Sequence, residues 1–320
     1  MANGLKTETE FPVTNAHTHL ELTGMSQLCP REPAHFGSWL RRVAWHLPRQ
    51  SKAQAMASIE QGIRELKEAG TTHVGEITNT WQSVEPLLVS GLAGIVYLEV
   101  LGLNRGKALK RLEGAKEAIT SAQSHPQHGR MQLGLSLHAP YSCHRDLLRA
   151  GAAWCRENGI PLCIHVAESP EETALFLREK TPALSWHARF VAGVLGLLPS
   201  KLPRLPPVTY LASLGVLEAR PLLVHVIHVT DQEIAAIAKA GCAVVHCPRS
   251  NARLSCGRMP LERYLDAGIT VYLGTDSRAS SPSLDVREEA AFAEELHRGL
   301  VAPERIAAMV HQAFPSERRE

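Results

Sequence analysis

Eight short apolar runs, rich in β-branched residues, punctuate the chain, and stretches with helical periodicity separate them. The runs read FPVTNAH, THVGEIT, GIVYLEVLG, MQLGLSLHAP, PLCIHVAE, PLLVHVIH, CAVVHCP and TVYLGTD. Between them, AQAMASIEQGIRELKEAG places apolar residues at helical spacing and stops at Gly70. DLLRAGAAWCRENG and DQEIAAIAKAG stop the same way, at Gly159 and Gly241. SPEETALFLRE opens with Ser169, Pro170 and Glu172, the pattern of a capping box with proline at the first helical position. Strand and helix alternating eight times over 320 residues predict an α/β protein, a (β/α)8 TIM barrel forming one domain over residues 1–320. A doubly wound open sheet is the competing topology, but no glycine-rich phosphate turn follows any run to support it.

One connection breaks this rhythm. Residues 181–220, between the fifth and sixth runs, are rich in proline from Pro199 to Pro207 and carry Trp186, Phe190 and Tyr210. Connections of this length in compact domains are functional loops or disordered segments. The aromatic residues favour an ordered lid inserted in the barrel. Charge changes the picture little: Lys+Arg is 34 and Asp+Glu is 32, which argues against a nucleic acid or an anionic membrane as partner. The opening MANGLKTETEF is polar and mixed in charge, unlike a signal or transit peptide, and no apolar run reaches the roughly 18 residues of a membrane helix. A soluble cytoplasmic protein is the expectation. The seven cysteines are odd in number and scattered, without a CxxC pair, which argues against a disulfide framework or a structural zinc knuckle.

Candidate chemistry gathers at the downstream ends of the runs. The first ends in His17 and His19, two residues apart, so both imidazoles leave one face of a strand together. The fourth ends in His138, and the fifth in His165 with Glu168 three residues on. The sixth carries His225 and His228, the seventh His246, and the eighth ends in Asp276. In a parallel barrel these ends converge on one mouth, where catalytic residues sit. A lone histidine is more often a hydrogen-bonded structural residue than a ligand. Six strand ends so equipped point to a metal centre. Three imidazoles and one carboxylate suit a single divalent ion, Zn²⁺ or Fe²⁺, with one position open to water. Such an ion draws the pKa of its water toward about 7. Glu168 stands where it could carry a proton from water to substrate. Asp276 could both ligate and take up a proton, and His225 could hydrogen-bond the attacking water.

In the order HTH, HVAE, LVHVIHVT and GTD, these motifs resemble the amidohydrolase superfamily and span nearly the whole chain. The resemblance implies that His17, His19, His165 and Asp276 bind one catalytic metal, that His225 contacts the water and that Glu168 shuttles the proton. It makes His228 an ordinary loop-side residue. LGLSLHAP lacks a carboxylated-lysine motif, which favours the mononuclear deaminase branch. LHAPYSC, HCPRSNARL and GTDSRASSPSLDVREE resemble the branch that deaminates purine nucleosides and their thioethers.

NAHTHLELTG followed by FGSWL, with TDSRASSPSLDVREEAAFA, is most similar to the aminodeoxyfutalosine deaminases of menaquinone biosynthesis. These hydrolyse the 6-amino group of an adenine-containing nucleoside. The implied partner is therefore a small-molecule nucleoside. His138 would face its ribose or base, and Arg249, Ser250 and Asn251 would lie near it. A turn role for CPRSN is the equal alternative. Adenosine or S-adenosylhomocysteine deamination, dechlorination and amide hydrolysis share the same ligand set. Members of the branch carry a small β-sandwich built from both chain ends. Only ten residues precede Phe11, so the sandwich is expected to be absent or truncated. A homodimer is compatible with this reading.

Overall fold

The computed structural model describes residues 11–123, 130–178 and 202–314. Each apolar run becomes a strand: β1 Thr14–Thr18, β2 His73–Thr78, β3 Ala93–Val100, β4 Met131–Leu137, β5 Leu162–Val166, β6 Leu222–His225, β7 Ala243–His246 and β8 Val271–Leu273. All pair in parallel and in sequence order. A parallel bridge from Thr18 to Asp276 brings the last strand back to the first. The result is the eight-stranded barrel that the alternation predicts.

The described helices are α1 Phe36–His46, α2 Lys52–Glu68, α3 Val84–Leu88, α4 Arg105–Gln123, α5 Arg145–Asn158, α6 Pro170–Leu177, α7 Pro207–Ser213, α8 Asp231–Ala240, α9 Pro248–Arg253, α10 Leu261–Asp266, α11 Val286–Leu296 and α12 Pro303–Met309. Local chemistry sets their ends. Ser51 with Gln54 and Thr230 with Glu233 form complete capping boxes on α2 and α8. Gly159 and Gly241 close α5 and α8 in the left-handed conformation. At α6, Ser169 caps the Glu172 amide as its motif foretells, but the box is not reciprocal. The Glu172 carboxylate accepts instead from the Glu168 amide, at 3.0 Å.

Strand alternation divides the core in two. The barrel interior holds Ala16, Ile77, Ile95, Tyr97, Cys163, Leu222, Val224, Val245, Cys247 and Tyr272. Phe314 joins them, fully buried, and the Tyr272 hydroxyl donates to the Ala313 carbonyl, so residues 313–314 seal the N-terminal end of the barrel. The opposite strand faces, with Val74, Val96, Leu98, Leu135, Ile164, Leu223, Val244 and Leu273, pack under the helices as a second, larger core.

The lid expected over residues 181–220 lies outside the described residues as far as 201, including Trp186 and Phe190. From 202 onward the chain forms α7, which packs among α6 and α8 in the outer ring, with Tyr210 against Phe176 at 5.4 Å between ring centroids. Among the described residues no helix is long and apolar enough to cross a membrane.

Candidate active site

The C-terminal ends of β1, β5, β6 and β8 bring His17, His19, His165, His225 and Asp276 together. His17 Nε2 and His19 Nε2 approach Asp276 Oδ1 at 3.6 and 3.7 Å. His19 Nε2 lies 3.3 Å from His165 Nε2. Candidate ligand atoms of His17, His19 and Asp276 lie within 4.8 Å of one another, as do those of His17, His165 and His225. Left-handed backbone helps to aim these groups: φ is 72° at His225 and 59° at Asp276. Non-glycine residues are rare there, and such strain collects at functional sites.

Second contacts fix which atoms face inward. His165 Nδ1 lies 2.9 Å from the His138 carbonyl oxygen. A carbonyl only accepts, so Nδ1 carries the hydrogen and Nε2 keeps its lone pair toward the cluster. Ser250 and Ser280 hydroxyls donate to Asp276 Oδ2 at 2.6 and 2.8 Å, which leaves Oδ1 to the histidines. The Asn251 amide nitrogen donates to His225 Nδ1 at 3.0 Å, so His225 presents an N–H from Nε2 to Glu168 Oε1, 3.4 Å away.

Burial tunes the charges. It holds His19 at about 4 and His165 at about 3, and it keeps His17 and His225 below the ordinary imidazole range. All four rings are therefore neutral at pH 7, the form that ligates. Burial would raise Asp276, but the imidazoles that face it, His17 first and then His19 and His225, outweigh it and hold the carboxyl well below its usual range. Glu168 moves the other way: burial, then the charges of Asp276, Glu172 and Glu171, push it well above. Two neighbouring carboxyls are thus driven apart, one ionised and one able to hold a proton, which is how acid and base roles are divided.

This donor set fits a divalent metal. His17 is 1% exposed, and neither of its ring nitrogens has a hydrogen-bond partner. A buried polar group with no partner calls for an occupant. Neutral imidazoles with one ionised carboxylate are the donors such an ion takes.

A pocket opens beside the cluster. Leu22, Phe36, Trp39, Leu40, Val43 and Leu47 form an apolar wall, and Glu21, Asn79, Glu99, His138, Tyr141 and Glu168 supply polar groups. His138 is one of the residues on the pocket surface. Ser250 and Arg249 do not line it. Ser250 supports Asp276, and Arg249 is occupied by Glu288 and by Glu289 Oε1 (2.7 Å), tying α9 to α11. His228 turns to the Cys256 carbonyl, 2.6 Å away. His246, at the end of β7, points away from the mouth into the outer core, where it meets His297 at 3.2 Å. Sequence reasoning passed over Glu99 and Asn79. Their signal was phase: Ile77 on β2 and Ile95 and Tyr97 on β3 face the interior, and 79 and 99 continue those rows.

A closed parallel barrel with imidazoles and a carboxylate at its C-terminal mouth defines a barrel enzyme with a metal-centre donor set. The chain belongs to the amidohydrolase family, whose model matches residues 13–312. It is 38% identical over 304 residues to the aminodeoxyfutalosine deaminase of Deinococcus radiodurans, covering 90% of this chain and 68% of that one. It is 28% identical to the 5-methylthioadenosine/S-adenosylhomocysteine deaminase of Carboxydothermus hydrogenoformans, covering 89% of this chain and 60% of the relative. Among solved structures, the aminofutalosine deaminase of Helicobacter pylori in complex with methylthio-coformycin superposes with a TM-score of 0.76 at 22% identity, covering 94% of this chain and 72% of that one. At that identity the likeness is one of fold.

Proposed function

We propose that this protein is a metal-dependent hydrolytic deaminase that converts 6-amino-6-deoxyfutalosine to futalosine and ammonia. One observation carries the reaction class: Glu168, with its raised carboxyl pKa, faces the His225 N–H at 3.4 Å beside a cluster of neutral imidazoles around an ionised Asp276. The relative from Deinococcus radiodurans supports the choice of nucleoside. The site residues are His17, His19, His165 and Asp276 as holders of one ion, Zn²⁺ or Fe²⁺, which when bound acidifies a water and acts as a Lewis acid.

The chain's own groups do the rest. Glu168 takes a proton from the attacking water and delivers it to the ring nitrogen beside C6, so that the purine can accept electrons. Asp276, already ionised, takes the second proton. His225 donates from Nε2 and orients the oxygen that adds to C6, with Asn251 holding the ring. The amino group takes that second proton from Asp276 as its bond to C6 breaks and leaves as ammonia, so one water is consumed and one ammonia released. The Glu168 backbone is anchored by Glu172, whose own carboxyl burial pushes up to about 7. The apolar wall from Leu22 to Leu47 suits the flat faces of a purine and an aryl group.

The test is ammonia release with 6-amino-6-deoxyfutalosine, adenosine, S-adenosylhomocysteine and methylthioadenosine. The futalosine precursor should have the highest kcat/KM. A tenfold advantage for adenosine or S-adenosylhomocysteine, about 1.4 kcal/mol of transition-state preference, would reject the substrate. No ammonia from any of the four would reject the class.

A further inference from the structure

The pocket contains a second polar feature that the deamination steps do not use. Glu99, at the end of β3, is 4% exposed and lines the pocket. Its Oε2 accepts from the Asn79 amide at 2.8 Å, and its Oε1 has no hydrogen-bond partner. Arg111 does not donate to that carboxylate: its Nη2 goes to the backbone carbonyls of Asn79 and Glu99. Beside it, His138 Nδ1 lies 2.6 Å from Ser142 Oγ, and that hydroxyl's single hydrogen goes to the Ala139 carbonyl. The serine oxygen therefore accepts from Nδ1–H, and His138 Nε2 is left as a bare acceptor. Candidate ligand atoms of Glu99, His138 and His165 lie within 4.8 Å of one another.

We propose that Glu99, held by Asn79 next to the bare Nε2 of His138, is a specificity-determining subsite that accepts hydrogen bonds from the vicinal diol of a nucleoside sugar. The proposal rests on the deaminase reading. Two acceptors without a protein donor ask for a ligand with two donors close together. A purine ring offers acceptors at its ring nitrogens, and its one donor group, the amino group, belongs at the reacting end. The sugar hydroxyls are the remaining donors. A second metal ion is the competing occupant of Glu99 and His138. It would have to share His165, whose Nε2 already faces His19, and two remaining ligands are too few to hold it.

The experiment compares adenosine with 2′,3′-dideoxyadenosine on the metal-loaded enzyme, for wild type, Glu99→Leu and Glu99→Gln, with metal content measured for each. A site built around substrate hydroxyls rejects the analogue lacking them steeply, so wild type should favour adenosine by about 10² or more in kcat/KM. Glu99→Leu should bring the two substrates nearly level by losing rate on adenosine alone. Glu99→Gln, which keeps the shape, should fall between, and both variants should keep the wild-type metal content. Where Glu99→Leu does not fold, Glu99→Gln decides. A wild-type ratio near one, or equal losses on both substrates, overturns the subsite. Loss of metal in Glu99→Gln also overturns it and gives Glu99 to a metal centre. Absence of turnover by wild type on every nucleoside rejects the deaminase reading itself, and that result is distinct from turnover with an unaltered ratio.

Discussion

The ends of β6 and β7 carry the same residue in the same phase and use it in opposite ways. On β6, Leu222 and Val224 face the barrel interior, so alternation sends His225 outward. On β7, Val245 and Cys247 face the interior, so His246 also points outward. His246 obeys and meets His297 beneath the helices. His225 does not. Its φ of 72°, followed by 45° at Val226, turns the ring back over the mouth toward His17 and His165, at 5.7 Å from each. Histidine is among the few side chains that tolerate this conformation. A strand end therefore does not by itself make a histidine functional. At β6 it is the break in phase that brings the ring to the site, and strain there marks it.

The sharpest break of the comparison removes each ring in turn. Glu168→Gln and His225→Gln should lower kcat by about 10²–10⁴, the usual worth of general acid–base groups, with Glu168→Gln at the severe end and its metal retained. His246→Gln should leave turnover within the same order of magnitude. Steady-state rates and elemental analysis of the three variants check this. If His246→Gln were as inactive as His225→Gln, the division between inner and outer histidines would fail.

The same division explains what the sequence could tell. The barrel was legible because each strand carries a continuous apolar run, as strands buried on both faces must. The HTH pair, HVAE and GTD were legible because their motifs place donors at strand ends. Direction was harder. Nothing in VVHCP states that His246 faces outward until the phase of Val245 and Cys247 is counted. Glu99 was hidden in an apolar run, and the helix-capping pattern at Glu172 concealed that its carboxylate holds Glu168. Arg249 carried the right charge for a substrate contact, but two glutamates thirty-nine and forty residues downstream engage it. Long-range partners of that kind leave no local mark.

A smaller effect sharpens the inner side of the comparison. Gly274, just past β8, lies where an added Cβ would come 2.7 Å from His17 Cβ and 2.9 Å from Val245 Cγ1. Gly274→Ala should displace His17 without removing any ligand. Disturbing a ligand's support costs about 10–100-fold in metal affinity or activity. Metal titration of the variant should show that weakening, with turnover recovering as metal is raised. An affinity equal to wild type would mean that His17 is not held against Gly274 as described.

The smallest expected effect lies on the outer side and is read in stability. His297 Nδ1 accepts from Arg258 Nη1 at 3.0 Å, so its Nε2–H points at His246 Nε2. Protonating either ring would set a buried cation beside a guanidinium. Burial, then Arg258, holds His297 at about 4, and burial keeps His246 well below the ordinary range. The sign follows from proton uptake. Below its ordinary pKa of about 6.5 an unfolded histidine binds a proton, and the folded pair does not until about pH 4. Stability from this pair is therefore complete above pH 6.5 and is lost as pH falls from 6.5 toward 4. A shift of that size for His297 corresponds to about 3.4 kcal/mol as an upper bound. Melting temperature measured across that window should fall more steeply for wild type than for the double variant His246→Gln, His297→Gln, and the two curves should run parallel above pH 7. Equal slopes through the whole window would mean that the outer pair is not held neutral. Its contrast with the inner cluster would then rest on geometry alone.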